Sequence, residues 1–221
     1  MCGRFSQFRL GTAFLSLFHI EIEPNFKGSK NIAPSELAHI IRRPNQGEFP
    51  PSRSPKYIFS PHSFGLFPSW AKPDFKPNYT FNARSETLEE KPSFKGSYKY
   101  KRCIIPVDGY FEWKTEGKRK IPFYIKDTYN KPLFLAGLYD IVERHDMYIQ
   151  SFSIITKSSE GNLKEIHDRM PVFLNVDQSK EWMNNKEKIE YYFGAPKNIE
   201  FKEAPVEVSN ARNKDIDFDN L

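Results

Sequence analysis

The sequence predicts a β-rich α+β fold. Between residues 37 and 156, runs rich in β-branched and aromatic side chains recur at short intervals, with turn residues close between them. These runs lack the regular helical crossovers that a parallel sheet requires. Helical spacing is clearest before residue 20 and after residue 178.

The elements follow in chain order. An amphipathic helix is expected first, because apolar residues recur at helical spacing at Leu10, Ala13, Phe14, Leu17 and Phe18. Strands are expected at residues 37–41, 57–67, 79–82, 103–105, 109–114, 121–126, 133–139 and 147–156, with a last strand at 206–208. Helices are expected at residues 179–184 and 186–193. The proline-rich segment 44–56 predicts a surface loop, and the acidic segment 214–221 predicts a frayed tail.

Composition limits the class of protein. The 221 residues fit one domain, 1–221, and an aromatic content of 15% excludes a disordered chain. A net charge of +5 favours a polyanionic partner without requiring one. The longest apolar run is shorter than the roughly 18 residues of a membrane span, so we expect no membrane association. Two cysteines are too few for a disulfide framework or a metal cluster, so a reducing cytosol or nucleus is expected.

Cys2 directly follows the initiator methionine, and a residue this small allows aminopeptidases to remove Met1. The chain would then begin with a 1,2-aminothiol, whose amine and thiol are both nucleophilic in part near neutral pH. An aminothiol condenses with an aldehyde to a Schiff base and then closes to a thiazolidine. The alternative is that Cys2 is only a small packing residue.

Two further segments carry groups suited to proton transfer. Glu112 lies between Phe111 and Trp113 in an expected strand, where alternation places it on the same face as Tyr110. An apolar cleft would raise its pKa toward neutrality, whereas a solvated Glu112 would only form an ion pair. His167 lies in a loop segment before a proline, where it can protonate a sugar ring oxygen or simply hydrogen-bond to nearby backbone.

The segment that contains Asn82 and Arg84 pairs an amide with a guanidinium two residues away. Such a pair is suited to orienting a substrate and holding a phosphate. The alternative is a helix cap at Asn82 or Ser85.

Seven motifs occur in one order along the chain: MCGRF, NIAPS, PSWAK, NARSET, RCIIPVDGYFEWK, IHDRMPVFL and VSNARN. Together they resemble the SOS-response-associated peptidase (SRAP) family of proteins that crosslink to abasic sites in DNA. The resemblance extends from residue 1 to about residue 213. It implies a single α+β domain with a mostly antiparallel, barrel-like sheet and a few flanking helices.

The resemblance also implies roles for individual residues. The catalytic group would be Cys2 as nucleophile, Asn82 as orienting amide, and Glu112 with His167 as the acid and base. Nucleic-acid binding would fall to Arg4, Asn31, Pro34, Trp70, Arg84, Trp113 and Thr156. One departure is that Pro92, flanked by Lys91 and Lys95, stands where a further basic contact is expected.

The function implied is capture of abasic sites in single-stranded DNA as a thiazolidine crosslink that protects the lesion during replication. Without ring closure, the Schiff base could undergo β-elimination, as in an abasic-site lyase. The alternatives are a cysteine peptidase or autopeptidase that uses Cys2, and a non-enzymatic binder of single-stranded DNA. We expect no metal or other cofactor, and a cytoplasmic monomer that is nucleoid-associated if bacterial.

Overall fold

The computed structural model describes residues 2–10, 12–20, 26–72, 74–144, 147–184, 187–194, 198–218 and 221. Met1 therefore lies outside the described residues. None of the helices in the described ranges has the length and apolarity needed to cross a membrane.

A closed barrel of five strands forms the centre of the fold. Its strands are β3 (Leu37–Arg42), β4 (Ile58–Phe64), β6 (Arg102–Val107), β9 (Leu133–Arg144) and β10 (Met147–Ser158). They are hydrogen-bonded in the order β10, β4, β3, β6, β9, and pairing of β9 with β10 closes the ring. Only the β4–β10 pair of this ring is parallel. Short strands extend the barrel: β5 (Asn82–Arg84) and β11 (Arg169–Pro171) pair with β10, and β12 (Phe173–Leu174) pairs with β9.

A second sheet of five antiparallel strands packs against the barrel. Its strands are β1 (Arg4–Gln7), β2 (Ser29–Ile32), β7 (Gly109–Glu116), β8 (Arg119–Asp127) and β13 (Ile199–Glu203). The three α-helices of the described residues are α1 (Thr12–Ser16), α2 (Pro92–Tyr100) and α3 (Val176–Asn184).

The barrel strands bury side chains on both faces. Ile104 packs in a cluster with residues of all three helices, whereas the next residue, Ile105, packs in a cluster with residues of the second sheet. This alternation follows from the two-residue period of a strand. Gly137 of β9 has no room for a side chain, because a Cβ atom there would lie 2.3 Å from Cδ1 of Ile105.

The β-rich α+β class and the barrel-like, mostly antiparallel sheet are confirmed. The strand expected at residues 206–208 is wrong: Pro205 cannot donate to a sheet ladder, and a 3-10 turn, Val206–Ser209, follows it. In the range 186–193, Lys186 lies outside the described residues, and a 3-10 turn covers Ile189–Tyr192.

The first helix, the proline-rich segment and the acidic tail can also be compared with their expectations. The helical stripe is shorter than expected, and Leu17 is 45% exposed. The proline-rich segment lies at the surface. The acidic tail is not frayed over residues 214–218, because Ile216 and Phe218 are buried against Phe111 and Tyr124 of the second sheet. Residues 219 and 220 lie outside the described part.

Candidate functional site

Cys2 lies just before β1 and is fully buried between the barrel and the second sheet. The side-chain amide of Asn82 donates to the backbone oxygen of Cys2 at 3.0 Å and to that of Phe81 at 3.1 Å. Asn82 is itself fixed as the first residue of β5, where it pairs with Ile154 of β10. The structure therefore brings together Cys2 and Asn82, which are 80 residues apart in the sequence.

Glu112 shares the buried space around the Cys2 thiol. It lies on β7 and is 5% exposed. Burial raises the pKa of the Cys2 thiol well above its usual value, and the negative charge of Glu112 raises it further. Burial likewise raises the pKa of Tyr110, with smaller contributions from Cys2 and Glu112. The thiol is consequently neutral near pH 7, with a carboxyl group close enough to influence it.

Tyr110 is a site residue to which the sequence analysis gave no role. It is 2% exposed and belongs to the same core cluster as Cys2. The signal was present in the sequence, because alternation along β7 places residues 110 and 112 on one face.

His167 lies in the loop between a 3-10 turn, Gly161–Glu165, and β11. Its Nδ1 atom is 2.7 Å from a carboxylate oxygen of Asp168 and 2.9 Å from the backbone nitrogen of Arg169. The buried residues on either side of it, Leu163 and Met170, belong to the core cluster that contains Cys2. The loop thus holds the imidazole ring, partly exposed, at the edge of the cluster that buries the cysteine.

A cleft of about 620 Å³ opens beside Asn82. Arg84, which is exposed, and Lys91 supply positive charge to it. Aromatic side chains, Phe75, Tyr79, Phe81 and Phe94, supply most of its apolar lining. Tyr79 is 91% exposed. The cleft combines cations with aromatic rings, of which Tyr79 is exposed, next to the buried cysteine, as sites for single-stranded nucleic acid do.

Trp70 and Trp113 are both held by their indole nitrogens. Trp70 is 58% exposed, and its Nε1 donates to the backbone oxygen of Pro92 at 3.2 Å. Its ring lies 6.2 Å from that of Phe75, so it borders the cleft. The Nε1 of Trp113 donates to Oγ of Ser209 at 3.1 Å.

Asn31, an expected nucleic-acid contact, lies inside the protein. It is fully buried, and its amide nitrogen donates to three backbone oxygens, at Val208 (3.3 Å), Asn210 (3.2 Å) and Asn213 (2.8 Å). Its carbonyl accepts a hydrogen bond from Arg4 at 3.1 Å. Asn31 therefore holds residues 208–213 against the second sheet, and its expected part in DNA binding stays a prediction.

Arg4 is half-buried in the same place. Its Nη1 donates to the backbone oxygen of Val208 at 2.7 Å, and its guanidinium lies 5.8 Å from the ring centre of Trp113. Burial lowers the pKa of Arg4. Pro34 lies half-exposed in the turn after β2, where the Glu36 carboxylate accepts from the backbone nitrogen of Ala33 at 2.9 Å.

Thr156 is fully buried on β10, as Cys2 is, and its expected part in nucleic-acid binding stays a prediction. Its backbone oxygen accepts from Arg169 at 2.7 Å. Arg169 also forms a bidentate pair with Glu86, at 2.5 and 2.9 Å, which lowers the pKa of that carboxyl. Arg169 thus links β11 to the segment after Arg84. Glu86, the carboxylate nearest to Arg84 in the sequence, is therefore paired with Arg169.

Comparisons with known proteins agree with this arrangement. Residues 1–211 match the sequence profile of a family described as SOS response associated peptidase (SRAP). The abasic site processing protein YoaM of Bacillus subtilis is 39% identical over 192 residues, which cover 84% of this chain and 80% of that protein. The abasic site processing protein YoqW of the same organism is 40% identical over 194 residues, covering 84% and 81%. A crystal structure from Bacteroides thetaiotaomicron has the same fold, with a TM-score of 0.77 at 23% identity over 93% of each chain.

Proposed function

Because this chain belongs to the SOS response associated peptidase (SRAP) family, as its motifs predicted, we propose that it captures abasic sites in single-stranded DNA. The capture is covalent: Cys2, once Met1 is removed, forms a thiazolidine with the open aldehyde of the lesion. The relatives YoaM and YoqW are abasic site processing proteins, and this similarity supports the lesion as the substrate.

One observation carries the proposal. Cys2 is held through its backbone oxygen by Asn82, beside the Glu112 carboxyl and next to a cleft that carries Arg84. A residue that only filled space would need neither an orienting amide nor a buried carboxyl near its thiol. Buried polar groups are costly, so a fold retains them mainly where they serve stability or chemistry.

Thiazolidine formation has a fixed order of steps. The amine attacks the aldehyde first, and the condensation to the Schiff base releases one water. The sulfur then adds to the imine carbon as the S–H proton is transferred to the imine nitrogen. Glu112 is the neighbouring carboxyl that relays this proton. The products are one thiazolidine and one water, without an oxidant or a cofactor.

His167 has the preceding task. An abasic site exists mainly as a cyclic hemiacetal, and opening it requires a proton at the ring oxygen. His167 is partly exposed at the edge of the same cluster, and its Nδ1 accepts a hydrogen bond from the backbone N–H of Arg169 at 2.9 Å. Because Nδ1 accepts, the ring proton lies on Nε2, and this is the proton that we assign to the ring oxygen of the sugar.

A cysteine peptidase is less well supported. A peptidase nucleophile needs a lowered pKa, whereas burial and Glu112 raise that of Cys2.

The test is intact mass spectrometry and a denaturing gel after incubation with single-stranded DNA that carries one abasic site. We expect an adduct that equals the sum of both molecules minus one water and that survives denaturant. Cys2→Ala should bind the strand without forming the adduct. Cys103→Ala is the matched control, since Cys103 is equally buried in the same cluster, and it should react as the wild type does. A Cys2→Ala protein that still forms the adduct would refute the proposal.

A further inference from the structure

Three clefts follow one another along helix α2. The first is the cleft beside Asn82, which reaches α2 at Ser93 and Phe94. The second, of about 220 Å³, shares Ser93 with the first and runs along α2 to Tyr100. The third, of about 600 Å³, shares Tyr100 with the second and extends to Arg43. A continuous surface therefore leads from the candidate site to the proline-rich segment, and we name it the α2 groove.

Positive charge accompanies the α2 groove beyond Arg84. Lys95 and Lys99 are exposed on α2, and Arg43 is exposed at the far end. Within the described ranges, no carboxylate lies within ion-pair distance of these three side chains. Among the described residues that line the three clefts, the one carboxylate is Asp140, and it pairs with Lys101. The positive charges of Arg43, Lys95 and Lys99 are therefore available to an anion.

Exposed aromatic rings lie on the same surface. Trp70 borders the second cleft and Tyr100 lies between the second and third, with exposures of 58% and 69%. The ammonium group of Lys99 lies 5.0 Å from the ring centre of Tyr100. Cations interleaved with exposed rings are typical of surfaces that bind single strands, because unpaired bases stack on the rings while phosphates meet the cations. A duplex offers no free base faces for such stacking.

The far end of the groove is structured. Glu48 accepts from both terminal nitrogens of Arg42, at 2.8 and 2.7 Å, and the hydroxyl of Tyr139 donates to Asn45 at 2.9 Å. These contacts fix residues 43–46, which line the third cleft. The proline-rich segment, which has no part in the chemistry of the lesion, thus provides one ordered side of the third cleft.

We infer that the α2 groove binds the single-stranded DNA on one side of the abasic site, from Arg84 past Tyr100 to Arg43. This inference rests on the proposed function, since it takes the cleft beside Asn82 as the position of the lesion. Helix α2 has nine residues and is about 13 Å long, so the groove adds contacts that a very short strand cannot reach.

The experiment measures the affinity of single-stranded DNA over a salt series, with strands of about 4 and about 12 nucleotides around one abasic site. The long strands are extended on the 5′ side or on the 3′ side only. The groove variant is Arg43→Ala with Lys99→Ala. The control variant, Arg119→Ala with Lys120→Ala, removes the same charge from exposed residues of the β7–β8 hairpin.

We expect one of the two extensions to strengthen binding by the wild type. On that strand, the groove variant should flatten the slope of log affinity against log salt by about 1.4, or about 0.7 for each lost phosphate contact. On the short strand, it should match the control variant. Tyr100→Ala should weaken binding to the same extension without changing the slope. If the groove and control variants show the same affinity and the same salt slope on both extensions, the inference is overturned. The melting temperatures of all variants are measured to exclude unfolding as the cause of any loss.

The same samples separate this inference from the proposed function. If the adduct forms in normal yield but the groove variant does not change the affinity for either extended strand, the α2 groove is rejected and the capture reaction is retained. Absence of the adduct, with the expected loss on one extension, rejects the capture reaction and leaves the groove as a binding surface.

Discussion

Replacing Asn31 with alanine tests whether this residue stabilises the fold through its bonds to residues 208–213 or contacts DNA directly. Two amide hydrogens serve three backbone oxygens, so the loss corresponds to about two neutral hydrogen bonds, near 1 kcal/mol each. The bond from Arg4 is charge-assisted and contributes about 1.5 to 3 kcal/mol. We therefore expect Asn31→Ala to lower the free energy of unfolding by about 3.5 to 5 kcal/mol.

The assay is urea unfolding, followed by tryptophan fluorescence and by limited proteolysis of residues 208–213. Asn198→Ala is the control, because Asn198 is exposed, and it should change the free energy of unfolding by less than about 0.5 kcal/mol. A loss below about 1 kcal/mol for Asn31→Ala, with DNA binding abolished, would refute the structural role and restore a direct contact.

Four other predictions follow from the site and the core. Glu112→Gln should slow crosslinking by roughly 10²- to 10⁴-fold in single-turnover assays with little loss of DNA binding, and an unchanged rate would make Glu112 structural. His167→Ala should slow it within the same range, most strongly where opening of the sugar ring limits the rate. Arg84→Ala should reduce the slope of log affinity against log salt by about 0.7 on abasic and intact strands alike, and an unchanged slope would remove Arg84 from the phosphates. Burial lowers the pKa of His62 to about 4, so this histidine binds a proton in the unfolded state at a higher pH than in the folded state. The free energy of unfolding should therefore be highest above about pH 6.5 and should decline by up to about 3 kcal/mol toward pH 4. Urea midpoints at pH 7 and pH 4.5 for wild type and His62→Gln should converge at the lower pH, and parallel curves would contradict this assignment.

The local signals in the sequence predicted most of the strands. The apolar runs at residues 133–139 and 147–156 lie within β9 and β10, because strands buried on both faces need continuous β-forming residues. Helix α2 was missed, since Gly96 and three aromatic residues obscure its pattern, although Pro92 is well suited to the first helical turn. The family resemblance, not periodicity, predicted the closed barrel.

The site could be predicted in part. Cys2 and Asn82 are in direct contact, and Glu112 shares their buried space, as the motifs suggested. The backbone contacts of Asn31 could not be foreseen. An amide in a motif looks the same whether it faces a ligand or a distant stretch of backbone, and the partners of Asn31 lie 177 to 182 residues away. Such long-range pairing leaves no local pattern.

The contact of Arg4 with Val208, across 204 residues, has a consequence for synthesis of the protein. A ribosome that adds about 5 to 20 residues per second needs about 10 to 40 seconds to make the chain between them. Strand β7 is made about half-way through that interval, and the segment 208–213 is made only at its end. The packing around the newly made N-terminus is incomplete until both are present. Removal of Met1, which the proposed chemistry requires, has this interval in which to occur before folding encloses Cys2.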